Sequence, residues 1–190
     1  MQTPPPQILI ITGLMAAGKS TIAQALAERL PRSVHLRGDV FRKMVVNGRA
    51  DMSPEPSEDA RSLLRLRYAL ACEACSAYAE AGFFVAYQDV ILGEHLKAVT
   101  ERLSGWSPGV VVLNPKLDVI AGRDAARHKR AYGAGWTPDL LAAGLDHTPR
   151  LGLWLDTSSM IPSETVDFIL AHPSETRRGL SGAAARQRGH

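Results

Sequence analysis

Hydrophobic residues in this chain gather into five short, continuous runs, with helical patterns between them. The runs are Ile8–Ile11, Val34–Leu36, Phe83–Tyr87, Val110–Leu113 and Leu151–Leu155. Runs of this length that are apolar throughout, rather than alternating, indicate strands buried on both faces of a parallel sheet. Because helical segments alternate with the strands, the sequence predicts an α/β fold, with helices covering both faces of a five-stranded parallel sheet in three layers.

Capping residues mark the ends of the predicted helices. The boundaries are Pro31 after the first helix, Ser57 and Gly82 around the second, Thr137 before a later one and Pro162 at the start of the last. The segment 47–59, "NGRADMSPEPSED", is polar, contains prolines and is too long to be only a connector. We therefore expect this loop to cover a site.

The size and charge of the chain indicate one domain followed by a basic tail. The chain has 190 residues, of which 45% are hydrophobic, enough for one core, and residues 1–172 are predicted to form a single domain. The net charge of +3 resides in residues 173–190, where four arginines face one glutamate, while the other residues balance at 18 basic and 18 acidic. We expect residues 173–190 to form a disordered basic tail. A solvated tail accounts for this composition better than a nucleic-acid contact, so we expect no nucleic-acid partner.

The sequence also argues against a membrane or redox role. No apolar run is long enough to span a bilayer, and the opening "MQTPPPQ" lacks the features of a signal peptide, so we expect a cytoplasmic protein without membrane contact. Cys72 and Cys75 form a CxxC pair, but they lie inside a predicted helix rather than at its start. We expect both to be small buried apolar residues.

The clearest motif follows the first predicted strand. Residues 13–20 read "GLMAAGKS" and fit GxxxxGK[ST], with a strand before the motif and a helix after it, which makes a chance match in a Gly/Ala-rich turn the weaker explanation. Such a loop presents backbone N–H groups to phosphate oxygens, while Lys19 reaches the β and γ phosphates and Ser20 supplies an oxygen to Mg²⁺. The predicted nucleotide-binding residues are Gly13, Ala16, Ala17, Gly18, Lys19, Ser20 and Thr21.

Other features narrow the class of nucleotide-binding protein. A GTPase would carry NKxD, but "NPKLD" at Asn114–Asp118 has one residue too many between Asn and Lys. We interpret this segment as a strand end and a turn. The small size of the chain favours a phosphotransferase over a motor or transport ATPase.

Two aspartates follow predicted strands at the edge where open parallel sheets bind ligands. Asp39 could accept the proton of a substrate hydroxyl, and it could also cap the following helix; the two roles are compatible. Asp89 could hold Mg²⁺ through water or bind the substrate, or it could be an ordinary turn aspartate. Arg42, one turn beyond Asp39, is a further candidate for binding substrate.

A basic segment follows the fourth predicted strand. Arg123, Arg127 and Arg130 recur at helical spacing, so one helix face would carry three guanidinium groups. We predict a helical lid over about residues 121–136, whose arginines stabilise charge on the transferring phosphoryl group. A solvated basic helix is the alternative. Trp136 could stack on a ligand or pack in the core.

In their order along the chain, these segments resemble the chloramphenicol phosphotransferase-like family of small P-loop kinases, over about Ile8 to Leu170. "GLMAAGKST" is similar to the family's phosphate loop, "GDVFRKM" to the segment with its catalytic aspartate, "QDVILG" to its DDVxLG segment and "GRDAARHKR" to its arginine-bearing lid. One departure is Gln88, which stands where the first aspartate of DDVxLG is expected.

The resemblance implies a P-loop kinase fold, ATP with Mg²⁺, and phosphorylation of a hydroxyl on a small molecule, with antibiotics among the candidate acceptors. Asp39 would be the base, and Lys19 with the lid arginines would stabilise charge. Two alternatives stay open: a toxin-type kinase that phosphorylates a nucleotide-sugar, and a regulatory ATPase module that signals through the basic tail. The sequence leaves the acceptor, the residues that contact adenine and the oligomeric state undetermined.

Overall fold

The structure is a computed structural model and describes residues 4–126 and 135–180. Its sheet is parallel throughout, with the strand order β2-β3-β1-β4-β5. The strands are β1 (Ile8–Gly13), β2 (Ser33–Arg37), β3 (Phe84–Gln88), β4 (Gly109–Leu113) and β5 (Leu153–Leu155). The predicted α/β class and the five-stranded parallel sheet are therefore confirmed.

The described helices alternate with these strands, as the sequence pattern predicts. They are α1 (Lys19–Arg29), α2 (Asp39–Lys43), α3 (Glu58–Glu80), α4 (Glu94–Arg102), α5 (Leu117–Ala125), α6 (Pro138–Asp146) and α7 (Pro162–Ala171). Ser57 caps α3 by accepting a hydrogen bond from the backbone N–H of Ala60, as expected from the sequence. Thr137 caps α6 in the same way, through the N–H of Leu140.

Helices cover both faces of the sheet, and β1 is therefore buried on both sides. Ile8 and Ile10 belong to a core that also contains residues of α3, α4, α5 and α6. Leu9 and Ile11, which point to the opposite face, pack with residues of α1 and α7. This is the three-layer arrangement that continuous apolar strands favour, and it leaves the carboxyl ends of the strands along one edge.

The two cysteines are buried, as predicted. Cys72 and Cys75 are free thiols inside α3 and belong to the core beside β3. Burial raises the pKa of the Cys72 thiol to about 11, and it also raises the pKa of Cys75. Both groups are therefore protonated at neutral pH and have no nucleophilic thiolate.

The predicted start of the basic tail at residue 173 is wrong. A short 3₁₀ helix, Glu175–Arg177, packs against the amino end of β4, and its Thr176 is buried. The carbonyl of Arg178 accepts a hydrogen bond from the N–H of Gly152, directly before β5. These contacts attach residues 173–180 to the domain. Thr176 also packs so closely against Gly109 that a side chain at position 109 would not fit. Residues 181–190 of the predicted tail lie outside the described residues.

Candidate functional site

The loop between β1 and α1 depends on backbone conformations that few side chains allow. Gly13 and Gly18 have φ of 137° and 97°, and a Cβ on Gly13 would overlap the carbonyl of Leu113 on the neighbouring strand. Ala16 also adopts a left-handed conformation, at φ 62°. The helix α1 begins directly after Gly18, so its free N–H groups face the loop. This geometry forms a concave, positively polarised cradle for phosphate.

Lys19 is held against this loop. Its Nζ donates hydrogen bonds to the carbonyl oxygens of Leu14 at 2.6 Å and Gly13 at 3.1 Å, and the residue is buried. A bound anion could redirect the ammonium group, since backbone carbonyls compensate its charge only in part. The predicted phosphate-binding role of Lys19 is compatible with this position.

Arg123 approaches the same loop from α5. Its Nη1 donates to the carbonyl of Ala17 at 3.4 Å and its Nη2 donates to the carbonyl of Thr157 at 2.9 Å. The guanidinium thus bridges the phosphate loop and the loop after β5. Of the predicted lid, Arg123 and Trp136 are described, whereas Arg127 and Arg130 lie outside the described residues and stay predictions. Trp136 donates to the carbonyl of Met52 and packs on the core beside α3, next to the long loop after α2.

Thr157 contributes its backbone to this bridge but not its hydroxyl. The residue is 3% exposed, and its Oγ1 has no hydrogen-bond partner among the described residues. A buried hydroxyl without a partner costs free energy, so this group is either a local defect or a donor to a ligand.

Gln88 connects the phosphate loop to the turn that carries Asp39. The hydroxyl of Ser20 donates to Oε1 of Gln88 at 3.4 Å, and the N–H of Gly38 donates to the Gln88 carbonyl at 3.0 Å. Asp39 is the next residue after Gly38. Three segments distant in sequence therefore meet at the carboxyl edge of the sheet, as the strand-end rule predicts.

Asp39 is the first residue of α2 and forms an ion pair within that helix. Its Oδ2 lies 2.5 Å from Nζ of Lys43, and Gly38 rather than Asp39 occupies the cap position. The alternative that Asp39 caps this helix therefore does not hold, because the carboxylate turns toward Lys43 instead of the first N–H groups.

Opposing effects set the pKa of Asp39. Partial burial raises the pKa of this carboxyl, but the hydrogen bond and the charge of Lys43 lower it. The charges of Arg67 and Arg37 act in the same direction as Lys43, and the pKa falls below its usual value. Asp39 is consequently a carboxylate at neutral pH, the form that can accept a proton.

Asp89, directly after β3, is nearly fully buried and pairs with Arg67 of α3. Nε of Arg67 donates to Oδ2 at 2.7 Å, and Nη2 contacts Oδ1, so the pair is two-pronged. The N–H of Val90 also donates to Oδ1. Because both carboxylate oxygens are engaged within the protein, Asp89 orders the turn after β3; its proposed contact with Mg²⁺ through water stays a prediction.

The close approach of Asp89 requires a glycine at position 38. A Cβ added to Gly38 would overlap the Asp89 carboxylate, although the φ of Gly38 is an ordinary −62°. The requirement is thus steric rather than conformational. We call Asp39, Lys43, Arg67 and Asp89 the aspartate–arginine cluster; Gly38 provides the space in which its parts meet.

Sequence reasoning missed Arg67, although a signal was present. Buried or half-buried side chains of α3 recur at helical spacing, at Ala60, Leu63, Leu64, Arg67, Tyr68 and Ala71. Arg67 is the charged member of this apolar stripe, and its side chain is only 14% exposed. An arginine at a buried helix position needs an acidic partner. Asp89, which directly follows β3, is that partner.

Beside the cluster lies a groove between α2, the loop after it and α3. We call it the α2–α3 groove; its cavity is small, about 60 Å³, and mostly apolar. Its lining includes Phe41, Leu63, Leu64, Arg42 and Arg67. Arg42 pairs there with Asp51 at 2.6 Å, so this predicted substrate-binding residue lies next to the cluster. The long loop contributes Arg49, Ala50 and Met52 to the lining of this groove, and its expected role as the cover of a site stays a prediction.

The described residues contain no group of three or more His, Cys, Asp or Glu side chains that could hold a metal ion by themselves. Ser20 and Gln88 place two neutral oxygens side by side at the phosphate loop. Among the described residues, no helix combines the length and apolar character that crossing a bilayer requires.

Comparisons with known proteins agree with this geometry. The profile of the family described as chloramphenicol phosphotransferase-like protein matches residues 6–173. An adenylyl-sulfate kinase of Paraburkholderia xenovorans (strain LB400) is 30% identical over 174 residues, which cover 87% of this chain and 91% of that protein. The resemblance inferred from the motifs is therefore confirmed.

Two solved structures share the fold. An unliganded sugar kinase from Janibacter sp. HTCC2649 superposes with a TM-score of 0.62 at 21% identity, over 90% of this chain and 99% of that one. The APS kinase of Mycobacterium tuberculosis in complex with AMPPNP and APS gives 0.62 at 17% identity, over 88% and 96%. At these identities the likeness establishes a P-loop kinase fold.

Proposed function

The chain belongs to the chloramphenicol phosphotransferase-like family and is a kinase-type P-loop phosphotransferase, and we propose that it transfers the γ-phosphate of ATP to a hydroxyl of a small molecule, with Asp39 as general base. The observation that carries this proposal is the contact of Gln88 with both Ser20 and Gly38. It links the turn that carries Asp39, whose pKa is lowered, to the phosphate loop. A base next to a phosphate cradle is what transfer to an alcohol requires.

In the proposed reaction, Asp39 accepts the proton of the acceptor hydroxyl as its oxygen attacks the γ phosphorus. A new oxygen–phosphorus bond forms, the bond to the β–γ bridging oxygen breaks, and ADP leaves with that electron pair. Lys19 leaves its carbonyl partners to neutralise the charge on the phosphates. Arg123 contacts the loop, which supports a role for its guanidinium in stabilising the leaving group.

The residues fit a magnesium ion that arrives with the nucleotide. Ser20 would hold it, beside the neutral oxygen of Gln88, and phosphate oxygens and water would complete the shell, as Mg²⁺ prefers. The bound ion would supply neutralisation of phosphate charge. Among the described residues no carboxylate cage competes with this arrangement.

The acceptor has two candidate classes with separate support. The family description suggests a hydroxylated antibiotic, and the α2–α3 groove beside Asp39 suits a partly apolar compound. The 30% identical relative is an adenylyl-sulfate kinase, which makes adenylyl sulfate the second candidate.

The test is ³¹P NMR of the protein with Mg²⁺-ATP and a panel of hydroxylated antibiotics, nucleosides, nucleotide-sugars and adenylyl sulfate. A new phosphomonoester signal should appear, and Asp39→Asn should slow its formation by about 10²- to 10⁴-fold. Affinity for AMPPNP should be retained, since Asn is nearly isosteric. Release of inorganic phosphate alone, unaffected by Asp39→Asn, would contradict the proposal and favour the regulatory ATPase alternative.

A further inference from the structure

Arg67 is only partly used by its pairing with Asp89. The two contacts with the carboxylate occupy Nε and one edge of Nη2, and Nη1 has no partner among the described residues. A guanidinium carries five N–H donors in a fixed plane, so the two N–H groups of Nη1 remain available to bind a ligand. Arg67 also lines the α2–α3 groove, and its side chain keeps 14% of its surface exposed.

Asp89 makes Arg67 a rigid group. The carboxylate is itself fixed by the N–H of Val90 and confined by the turn at Gly38. An arginine held in this way loses little conformational entropy when it binds a second ligand. The pair therefore presents a fixed donor edge to the groove.

The surroundings of the groove carry excess positive charge. Among the described residues that line it are three arginines, Arg42, Arg49 and Arg67, and no acidic residue; Asp51 and Asp89 are the ion-pair partners of these arginines. Asp51 pairs with both Arg42 and Arg49, but all three side chains are exposed by more than a third. Such pairs are weak and can give way to a ligand.

A neutral, apolar acceptor would suit these groups poorly. Filling the groove displaces water from the Nη1 edge of Arg67, and buried donors without partners cost binding free energy. An acceptor with an anionic oxygen group replaces that water with charge-assisted hydrogen bonds. The rest of the lining is mainly Phe, Leu, Val and Ala, so the part of the acceptor that contacts it should be apolar.

We propose that the acceptor carries an anionic oxygen group, such as a carboxylate, which binds the Nη1 edge of Arg67 while its apolar body occupies the α2–α3 groove. The inference rests on the proposed function, because it takes this groove as the acceptor site. It assigns Arg67 as an acceptor-binding residue and Asp89 as the residue that positions it.

The test compares acids with their neutral near-isosteres. The probes are 4-(hydroxymethyl)benzoate and mandelate against the corresponding primary amides, titrated calorimetrically into the protein with Mg²⁺-AMPPNP. We expect each acid to bind at least about 10-fold more tightly than its amide, the size of a charge-assisted contact. The double variant Arg67→Gln/Asp89→Asn removes both buried charges together and leaves two neutral polar side chains, and it should bring the two affinities together.

Arg65→Gln is the matched control. Arg65 lies two positions earlier on α3, is exposed and pairs with Glu58 away from the groove, so the preference for acids should persist in this variant. Equal binding of acids and amides to the unmodified protein, no binding of either acid, or a preference that survives in the double variant would each overturn the inference.

Phosphotransfer is measured separately on the same compounds. A preference for acids without transfer would uphold the anion site and contradict the proposed kinase reaction on these acceptors. Transfer to amides as fast as to acids would uphold the kinase and overturn the anion site.

Discussion

The phosphate loop and the aspartate–arginine cluster lie at the same edge of the sheet but are built from different materials. The loop is one continuous segment whose binding groups are mainly backbone N–H groups, with Lys19 folded back onto its carbonyls. The cluster joins side chains from α2, α3 and the end of β3, held by ion pairs. A backbone cradle depends on conformation at a few positions, whereas a side-chain cluster depends on charge and fit among distant residues.

Under the proposed function, the difference follows from what each half recognises. Phosphate groups are common to all nucleotides, so a fixed backbone geometry suffices for them. An acceptor varies from one enzyme to another, and side chains on separate elements can change without altering the fold. Apart from the proposed base Asp39, we therefore expect substitutions in the loop to affect transfer most, and substitutions in the cluster to affect stability together with acceptor use.

Among the substitutions that leave the proposed base Asp39 in place, the largest expected effect is on the loop side. Lys19→Met removes the ammonium group but keeps an unbranched side chain, so the fold should persist while kcat falls by about 10²- to 10³-fold. A coupled assay of ADP release measures kcat, and circular dichroism checks the fold. A loss below tenfold with unchanged structure would show that the backbone cradle alone stabilises the phosphates.

The next effect is on the cluster side. Gly38→Ala places a Cβ against the Asp89 carboxylate, and relieving the overlap must move the turn that carries Asp39. We expect unfolding free energy to fall by about 1–3 kcal/mol and acceptor turnover to drop, while AMPPNP affinity stays unchanged. Urea denaturation and calorimetry measure the two quantities.

Gly122→Ala is the control for that substitution. Gly122 lies within α5, and an added Cβ there meets no atom within 4 Å. This variant should be neutral or more stable by about 0.5–1 kcal/mol, because alanine favours a helix. If both variants behave alike, the cluster does not depend on the space that Gly38 provides. The proposed contrast between the phosphate loop and the cluster would then be wrong.

The same contrast explains what could be predicted from the sequence. The loop was recognisable because its residues are contiguous, and Asp39 and Asp89 because polar residues that follow parallel strands meet at one edge. Arg67 was missed because its role depends on a partner 22 positions away. The tail boundary failed for a similar reason: Thr176 is buried against the amino end of β4, a contact that the composition of residues 173–190 does not reveal.

The smallest expected effect tests whether side chains matter on the nucleotide side beyond Lys19 and Arg123. Thr157 offers its carbonyl to Arg123, while its buried hydroxyl has no partner among the described residues. Thr157→Val keeps the shape and the carbonyl and removes an unsatisfied group. Unfolding free energy should therefore stay the same or rise by about 1 kcal/mol.

Calorimetry with AMPPNP gives the second reading of this variant. If only backbone groups, Lys19 and Arg123 bind the nucleotide, the affinity of the variant for AMPPNP should stay within about twofold of the unmodified protein. A loss of about 1.4 kcal/mol in binding free energy would instead lower the affinity roughly tenfold. A tenfold loss with unchanged stability would mean that the hydroxyl completes its hydrogen bonding only when nucleotide is bound. The nucleotide side would then also use side chains of the loop after β5 for recognition, and the division between the two halves would hold for the phosphate loop alone.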